Sequence, residues 1–335
     1  MPKQKDRITI ADVAEKANVS AMTVSRVLNN KGSFSEETRQ HVLHVMRELG
    51  YRPNRVARSL ATAKTLKIGV VVPSISSAYF GEVLEGTERV LWECGYHMLL
   101  CNTAVDSRRE HAVMDLFEED RVDGVVVLSS HLPGDELSSY LKKQRAAVVI
   151  NCDVEPGIAG HIYTDELKSM RMAVKHLQQA GCKCLGYIGL AIETYAGRER
   201  HDMFIRACEE VGLSVSSDNI VICDRRMGGL AARRLFKRVP ETDGLICFND
   251  EIAAGALRVC FELQRRVPED VAIVGFDDIF LAELLVPALT TLRLKTTKQE
   301  VGAIAARMLL ERIEGRSTRD EVVLEHELVV RESAP

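Results

Sequence analysis

Residues 19–29, with the sequence VSAMTVSRVLN, decide the fold of the N-terminal region. The apolar residues from Val24 onward recur at the spacing of one helix face, and Ser20 is a residue type that caps helix N-termini. Asn18, directly before this stretch, tolerates the left-handed backbone of a sharp turn. The stretch therefore predicts a capped amphipathic helix that follows a tight turn.

Two further helices are expected on either side of this stretch. Upstream, Thr9 can cap a helix over about 10–17, where apolar residues again repeat at helical spacing. Downstream, Ser35 begins a third helix that a glycine, Gly50, can end. Two short helices joined by a tight turn and supported by a third predict a helix-turn-helix.

A helix-turn-helix has one common function and one plain alternative. The first residues of its second helix, here Ala21 and Met22, would point into the DNA major groove, while hydroxyl and basic side chains such as Arg26 hold phosphates. The alternative is a small protein-interaction module in which Arg26 is only a solvated charge. The helical pattern alone leaves both interpretations open.

The charge distribution favours contact between the N-terminal region and a polyanion. The 335 residues are 46% hydrophobic and 27% charged, which is ordinary for a globular protein and excludes a disordered or fibrous chain. Residues 1–66 hold 12 Lys and Arg against 6 Asp and Glu, a net charge of +6. The remainder holds 32 against 42, a net charge of −10. A basic N-terminal region can bind phosphates while the acidic remainder of the chain, called the body below, stays away from them.

Several other classes of protein do not fit this sequence. It shows no secretion signal and no apolar run of membrane-spanning length, so we expect a cytoplasmic protein that does not enter membranes. The nine cysteines form no CxxC pair, which argues for reduced core residues rather than a zinc ribbon or a disulfide framework. No metal-ligand spacing is present, so no metal is expected.

From residue 66 onward, apolar strands alternate with amphipathic helices. Strands are expected near 66–73, 96–101, 124–128 and 146–150, and the pattern restarts with a helix at 165–180. This alternation is typical of doubly wound parallel sheets, and its restart predicts two lobes with a cleft between them. Ligands bind beyond the carboxyl ends of such strands, so the polar residues that follow each apolar run are the candidate site.

The N-terminal motifs resemble the lactose/galactose repressor family, including gluconate-repressor-like members. The matching segments are TIADVA (9–14), VS (19–20), TVSRVLN (23–29), YRPN (51–54) and ARSL (57–60). The resemblance implies a helix-turn-helix DNA-binding domain over 1–52 and a hinge helix with linker over 53–65. It also implies double-stranded DNA with a near-palindromic operator as the partner of a homodimer.

The resemblance assigns DNA contacts to individual residues. The positions of Ala21 and Met22 select the operator sequence in the family, and two apolar side chains there favour thymine methyl groups. Leu60 matches a leucine that wedges into a central base step from the minor groove. The DNA-binding residues that it implies are Thr9, Ser20, Ala21, Met22, Thr23, Ser25, Arg26, Asn29, Asn54, Ala57, Arg58, Leu60 and Ala61.

The resemblance continues through the body, in segments such as FND (248–250), VGFDD (274–278) and PALTT (287–291). It implies a two-lobed, type I periplasmic-binding-protein-like α/β domain over 66–335 that binds an effector and dimerises. Lobe 1 is expected at about 66–163 and 293–325, and lobe 2 at about 164–292 and 326–335. The chain would cross between the lobes near 163, 292 and 325. The implied effector-binding residues are Ser77, Tyr79, Phe80, Ser130, Asn151, Arg198, Arg200, Arg225, Asn249 and Asp277.

The arginines of this set suggest the class of effector. Arg225 lies about where several family members place a stacking aromatic ring, and a guanidinium there favours an anion over a neutral sugar or purine. A sugar acid or phosphosugar is the resulting hypothesis, with Arg225 facing solvent as its alternative. A purely structural role in helix capping and loop turns fits Asp250 and Asp278 better than it fits Asp277.

The expected function is a ligand-controlled transcriptional repressor of carbohydrate or sugar-acid metabolism genes. Effector binding between the lobes would change their angle and so the folding of the hinge, and induction is the expected sign. The alternative is a small-molecule binding or sensing protein with an accessory helical domain and no operator recognition. An enzyme is not expected, because no nucleophile–base motif or phosphate loop accompanies the paired carboxylates.

Overall fold

The computed structural model describes residues 8–29, 32, 34–51, 64–316 and 320–335. It divides into two compact units, Met1–Thr65 and Leu66–Pro335. In these described ranges, the helices are all too short or too polar to cross a membrane. The hinge positions Asn54, Ala57, Arg58, Leu60 and Ala61 lie outside the described residues.

The described residues of the first unit form a three-helix bundle. Its helices are α1 (Ile10–Lys16), α2 (Ala21–Asn29) and α3 (Glu36–Leu49). Their apolar faces meet in one small core, which consists of Val13, Ala14, Ala17, Val24, Val27, Val42, Val45 and Met46. The predicted helix-turn-helix is confirmed.

Local sequence signals set the ends of these helices. The Thr9 hydroxyl accepts from the Asp12 amide in a capping box, and Asn18 has a φ of 51° at the tight turn between α1 and α2. Ser35 caps the start of α3, and Gly50, with a φ of 65°, follows its last residue. A left-handed conformation costs glycine and asparagine less than other residues, so the turn positions follow directly from the sequence.

A parallel six-stranded sheet forms the centre of the first lobe, in the order β11-β5-β4-β3-β1-β2. Its strands are β1 (Lys67–Val72), β2 (His97–Asn102), β3 (Gly124–Leu128), β4 (Ala147–Ile150), β5 (Gly160–Thr164) and β11 (Glu321–Leu324). Its helices are α4 (Ala78–Glu93), α5 (Ser107–Glu119), α6 (Gly134–Lys142) and α12 (Lys298–Ile313). One buried cluster joins α4 and α12 to one face of the sheet, and another joins α5 and α6 to the opposite face.

The second lobe repeats this architecture in the order β12-β10-β9-β8-β6-β7, with only β12 antiparallel to its neighbour. Its strands are β6 (Leu185–Gly189), β7 (Ile220–Ile222), β8 (Gly244–Cys247), β9 (Ala272–Phe276), β10 (Thr290–Leu294) and β12 (His326–Val329). Its helices are α7 (Glu166–Gln179), α8 (Tyr195–Glu210), α9 (Gly228–Arg238), α10 (Asp250–Glu262) and the short α11 (Leu281–Leu284). Two 3₁₀ turns lie at Ser217–Asn219 and Arg225–Met227. The predicted two-lobed α/β body is confirmed.

The chain passes between the two sheets three times. The crossings lie between β5 and α7, between β10 and α12, and between β11 and β12. At the third crossing, the Glu325 carboxylate binds Lys168 Nζ at 2.6 Å and Lys295 Nζ at 2.7 Å. Lys168 lies in the helix that follows the first crossing, and Lys295 lies in the second crossing, so one carboxylate joins all three connections.

The packing of α4 against α12 depends on glycine. A Cβ atom on Gly302 would lie 1.9 Å from the Val83 carbonyl oxygen, and one on Gly86 would lie 1.8 Å from the Gln299 carbonyl oxygen. Backbone atoms cannot retreat from such contacts as a flexible side chain can. The two helices therefore approach each other at a distance that only glycine allows.

We expect Gly302→Ala to lower the free energy of unfolding by about 1–3 kcal/mol, the usual cost of overpacking a core. The matched control is Gly81→Ala on α4, where a Cβ would have no atom within 4 Å. That change should be neutral or stabilising, because alanine favours helices over glycine. Urea denaturation of both variants measures the difference, and equal stabilities would contradict this account of the helix contact.

Candidate functional sites

The start of α2 presents an exposed face. The Ser20 hydroxyl accepts from the Thr23 amide at 3.1 Å and lies 2.9 Å from the Thr23 hydroxyl, which fixes the first turn of the helix. Met22 is 63% exposed, and Ala21 and Arg26 are also exposed. Because the buried side of α2 packs into the bundle, this face is free to enter a groove.

Three other predicted DNA contacts lie on or beside the first two helices. The Thr9 hydroxyl lies 2.8 Å from Asp12 Oδ2 and caps α1 from an exposed position. Ser25 is half-buried in α2, and Asn29 is the last residue of that helix. The DNA contacts of these residues stay predictions.

Arg200 is a buried cleft arginine with several partners. It lies on α8 and is only 5% exposed. Its Nε donates to Glu166 at 3.2 Å, and its Nη1 donates to the Phe248 carbonyl oxygen at 2.6 Å. Its guanidinium carbon lies 4.2 Å from the centre of the Phe276 ring and 4.5 Å from that of Phe248. The guanidinium is therefore held on two sides before any ligand binds.

Asp277 follows β9 and faces this arginine. One of its carboxylate oxygens lies 3.9 Å from Arg200 Nη2, and its backbone has a φ of 95°, an unfavourable value for a residue with a side chain. Burial raises the pKa of the Asp277 carboxyl, while Arg200 and Lys298 lower it. Strained backbone and a half-buried acid at a strand end are features of a binding position rather than of a simple turn.

Asn249 and its neighbour Asp250 follow β8. The Asn249 side-chain oxygen accepts from the Ile252 amide at 3.0 Å and so caps α10. Asp250 is fully buried, where it accepts from the Thr291 hydroxyl at 2.6 Å and from the Ile279 amide at 2.8 Å. Burial and the charge of Asp277 raise the pKa of the Asp250 carboxyl well above its usual range. These contacts give Asp250 the structural role expected of it.

A small pocket lies where these strand ends meet lobe 1. It has a cavity volume of only about 10 Å³ and is lined by Ser77, Ala78, Tyr79, Asn249, Asp250, Glu251, Asp277 and Ile279. Burial and the Asp277 charge raise the pKa of Tyr79, so its hydroxyl stays a hydrogen-bond donor. Phe80 packs edge-on against Tyr79, with ring centres 5.4 Å apart. Four of the predicted effector-binding residues, Ser77, Tyr79, Asn249 and Asp277, therefore share one pocket.

Arg225 lies at the edge of the cleft and contacts both lobes. Its Nη1 donates to both carboxylate oxygens of Glu251, at 2.6 and 2.7 Å, and its Nη2 donates to the hydroxyl of Ser76 at 2.8 Å and of Ser74 at 3.3 Å. The alternative that Arg225 faces solvent is wrong, because its side chain is only 20% exposed. The positive charge that suggested an anionic effector is already paired with Glu251.

Arg198 makes a second contact between the lobes. Its guanidinium binds the carboxylate of Asp153, a residue of lobe 1 that lies shortly after the end of β4. Asn151, also beyond β4, is 6% exposed, and its side-chain oxygen has no hydrogen-bond partner among the described residues. Ser130 is used within lobe 1 instead, since its hydroxyl donates to buried Glu110. The structure does not bring Ser130 to the pocket.

Sequence reasoning missed several residues of the cleft. Glu166 contacts Arg200, Glu251 contacts Arg225, and Lys298 Nζ donates to the Asp278 carbonyl oxygen at 3.2 Å. His161 and Tyr195, whose ring centres lie 6.4 Å apart, bring an aromatic contact across the cleft. The position of Glu251 beside Asn249 and Asp250 was a usable signal, whereas Glu166 and Lys298 start helices and look like ordinary solvated charges.

His326 lies behind the Phe276 ring at the third crossing. It is 3% exposed, and its Nδ1 lies 2.8 Å from the Ser169 hydroxyl. Burial lowers the pKa of His326 from 6.5 to about 4, with Arg200 acting in the same direction and Glu166 opposing it. The unfolded chain therefore binds a proton at a higher pH than the folded protein.

We expect this histidine to make the body sensitive to acid. Its contribution to stability is fully present above pH 6.5 and is lost as the pH falls towards 4, by about 3 kcal/mol in all. Urea unfolding at pH 7.5 and pH 4.5 should show that His326→Asn reduces this loss. His97→Asn, at an exposed position of the same unit, is the control and should leave the pH dependence unchanged. If the free energy of unfolding falls equally in wild type and His326→Asn between pH 7.5 and pH 4.5, the prediction is contradicted.

Comparisons with known proteins agree with both units. Residues 9–54 match the family described as bacterial regulatory proteins, lacI family, and residues 174–334 match the periplasmic binding protein-like domain. The transcriptional regulator RegA of Clostridium saccharobutylicum is 32% identical over 97% of this chain and 98% of its own length. The ribose operon repressor of Halalkalibacterium halodurans is 34% identical over 97% of this chain and 96% of its own length.

Solved structures show the same fold. The superposition on the complex of the transcriptional regulator CelR with cellobiose covers 98% of this chain and 100% of the CelR chain, with 29% sequence identity and a TM-score of 0.74. The superposition on the lac repressor dimer bound to operator and the anti-inducer ONPF covers 98% of this chain and 99% of the lac repressor chain, with a TM-score of 0.87 at 23% sequence identity. Given its helix-turn-helix, its two-lobed body and these relatives, this chain belongs to the lacI family of bacterial transcriptional regulators.

Proposed function

We propose that this protein is a cytoplasmic repressor of carbohydrate metabolism genes that binds a near-palindromic operator as a homodimer. A carbohydrate bound between the two lobes controls its affinity for that operator. The observation that carries the proposal is the convergence of Arg200, Asp277 and Asn249 beside the pocket between two lobes. Guanidinium, carboxylate and amide groups at strand ends provide the donors and acceptors that sugar hydroxyls require.

The pairing of the cleft arginines favours recognition of hydroxyl groups over recognition of an anion. Arg225 is held by Glu251, Arg198 by Asp153, and Arg200 by Glu166. A sugar acid or phosphosugar would share these arginines with carboxylates that already neutralise them, and it would also meet Asp277. A neutral sugar needs no such displacement, because hydroxyl groups donate to carboxylates and accept from guanidinium groups at once.

Relatives support control by a small molecule and a dimeric assembly. A CelR structure contains cellobiose, and a lac repressor dimer is bound to operator and ONPF. Two helix-turn-helix units related by a twofold axis read two half-sites, which is why we propose a near-palindromic operator. We propose that the sugar acts as an inducer, and that the protein binds rather than converts it.

The first test is recovery of genomic fragments by the purified protein at near-physiological salt, because salt removes binding that depends on charge alone. A shared palindrome near a few promoters is the expected result. If the retained fragments share no motif and their retention disappears as salt is added, the result would instead indicate a binding or sensing protein with an accessory helical domain.

The second test identifies the effector class by release of the recovered operator. The panel is D-ribose, D-glucose, D-gluconate and D-glucose 6-phosphate, and D-gluconate also tests the resemblance to gluconate-repressor-like members. We expect a neutral sugar to release the operator, both from wild type and from Arg225→Ala. If only the two anions release the operator from wild type, and neither releases it from Arg225→Ala, the anionic hypothesis is restored and hydroxyl recognition is refuted.

A further inference from the structure

Glu166 is a buried acid at the first crossing between the lobes. It is 3% exposed and is the first residue of α7, two residues after β5 ends in the sheet of lobe 1. Acidic side chains are rarely buried unless a partner compensates the loss of water. Its position and its burial together call for a specific explanation.

The two carboxylate oxygens of Glu166 have different partners. Oε2 accepts from Arg200 Nε at 3.2 Å, and Oε1 accepts from the Thr164 hydroxyl at 2.5 Å. Arg200 lies on α8 of lobe 2, and Thr164 is the last residue of β5 in lobe 1. The carboxylate of Glu166 therefore connects the cleft arginine to the lobe 1 side of the crossing.

The contact with Glu166 also orients Arg200. It uses the Nε edge of the guanidinium, while Nη1 is held by the Phe248 carbonyl oxygen and Nη2 lies 3.9 Å from Asp277. With the Nε edge occupied, the Nη2 edge is the side turned towards Asp277 and a ligand. A guanidinium without this restraint would lose rotamer order on that side.

We propose that Glu166 is a positioning residue that orients the Arg200 guanidinium towards the effector. Through its contact with Thr164, it also couples effector binding to a displacement at the first crossing. This rests on the proposed binding of a carbohydrate in the cleft. A ligand that hydrogen-bonds to Nη2 draws the guanidinium towards itself, and Glu166 and the Thr164 hydroxyl follow as a hydrogen-bonded chain. A displacement at the end of β5 then changes the relation between the lobes.

The plainer alternative is that Glu166 only neutralises a buried arginine. The two roles differ in what Thr164→Val should do, because valine has the shape of threonine but lacks its hydroxyl. That variant keeps the Glu166–Arg200 contact and breaks only the link to lobe 1. A purely neutralising role predicts no effect on communication between effector and operator.

The experiment compares Glu166→Gln, Thr164→Val and the control Glu262→Gln in the full-length protein. Glu262 binds Arg233 and Arg258 on α9 and α10, and it has no contact with Glu166 or Arg200 among the interactions described. Calorimetric titration with D-ribose, D-glucose and D-gluconate gives the effector Kd. Operator binding with and without the same sugar gives the regulatory factor, the ratio of the two operator affinities.

We expect Glu166→Gln to raise the sugar Kd by about tenfold or more, because it removes a charge-assisted bond that orients Arg200. Thr164→Val should change the Kd by less than about threefold but reduce the regulatory factor by at least about threefold. Glu262→Gln should change neither. An unchanged Kd in Glu166→Gln would overturn the positioning role, and an unchanged factor in Thr164→Val would overturn the link to the crossing.

A sugar-free measurement separates failure of this proposal from failure of the proposed function. If wild type responds to none of the three sugars, the proposed carbohydrate control is contradicted. The crystal structure of sugar-free Glu166→Gln then still tests the positioning role. An Arg200 side chain that keeps its place beside Asp277 would overturn that role, and a displaced or disordered Arg200 would support it.

Discussion

Replacing Arg200 with alanine should produce a repressor that holds its operator but no longer responds to its effector. The side chain contacts Glu166, Asp277 and the Phe248 carbonyl oxygen at the centre of the cleft, so its loss removes the main hydrogen-bond donor offered to a ligand. We expect the effector Kd to rise by about 100-fold or more, since hydrogen bonds to a charged group are worth about 1.5–3 kcal/mol each. Titration calorimetry and operator binding measure the two properties separately.

The same substitution should also lower stability. It leaves the buried carboxylate of Glu166 and the half-buried carboxylate of Asp277 without their shared cation, and removing one partner of a buried pair typically costs about 3–5 kcal/mol. Arg233→Ala is the matched control, because this arginine pairs with Glu262 at a surface position where a lost ion pair is worth about 1 kcal/mol at most. Operator release by the effector in folded Arg200→Ala would contradict the assignment of Arg200.

The N-terminal unit could be predicted almost completely from the sequence. Its helix ends depend on contacts between residues that are close in the chain, such as Ser20 with Thr23 and Thr9 with Asp12. Asn18 and Gly50 then adopt the left-handed backbone that their residue types favour. Local signals of this kind carry the fold of a small bundle because few of its decisive contacts are distant in sequence.

The body was predictable as a strand pattern but not as a set of contacts. Buried strands such as β3 and β4 appear as continuous apolar runs, whereas β12 contains His326 and Glu327 and has no such run. The cleft depends on pairs that are far apart in sequence, including Arg225 with Ser76 and Arg200 with Glu166. A single sequence cannot show which acid meets which arginine, and for that reason Arg225 suggested an anionic ligand.

Exchanging Ala21 and Met22 for polar residues should change the operator that the protein prefers. Both side chains are exposed at the start of α2, away from the bundle core. In the double variant Ala21→Gln/Met22→Arg, glutamine can bind adenine and arginine can bind guanine through paired hydrogen bonds in the major groove. Selection from a random DNA pool should therefore recover half-sites with new bases at two positions.

The size of this change follows from the cost of mismatched base pairs. Each mismatch typically costs about 1–3 kcal/mol, so two mismatched positions should weaken binding of the double variant to the original operator by about 30-fold or more. Stability should change by no more than about 0.5 kcal/mol, because neither side chain is buried. The control Met22→Leu keeps an apolar side chain and should keep the original operator. If the double variant selects the same sequence as wild type, α2 is not the recognition helix, and the exposed face at its start has another use.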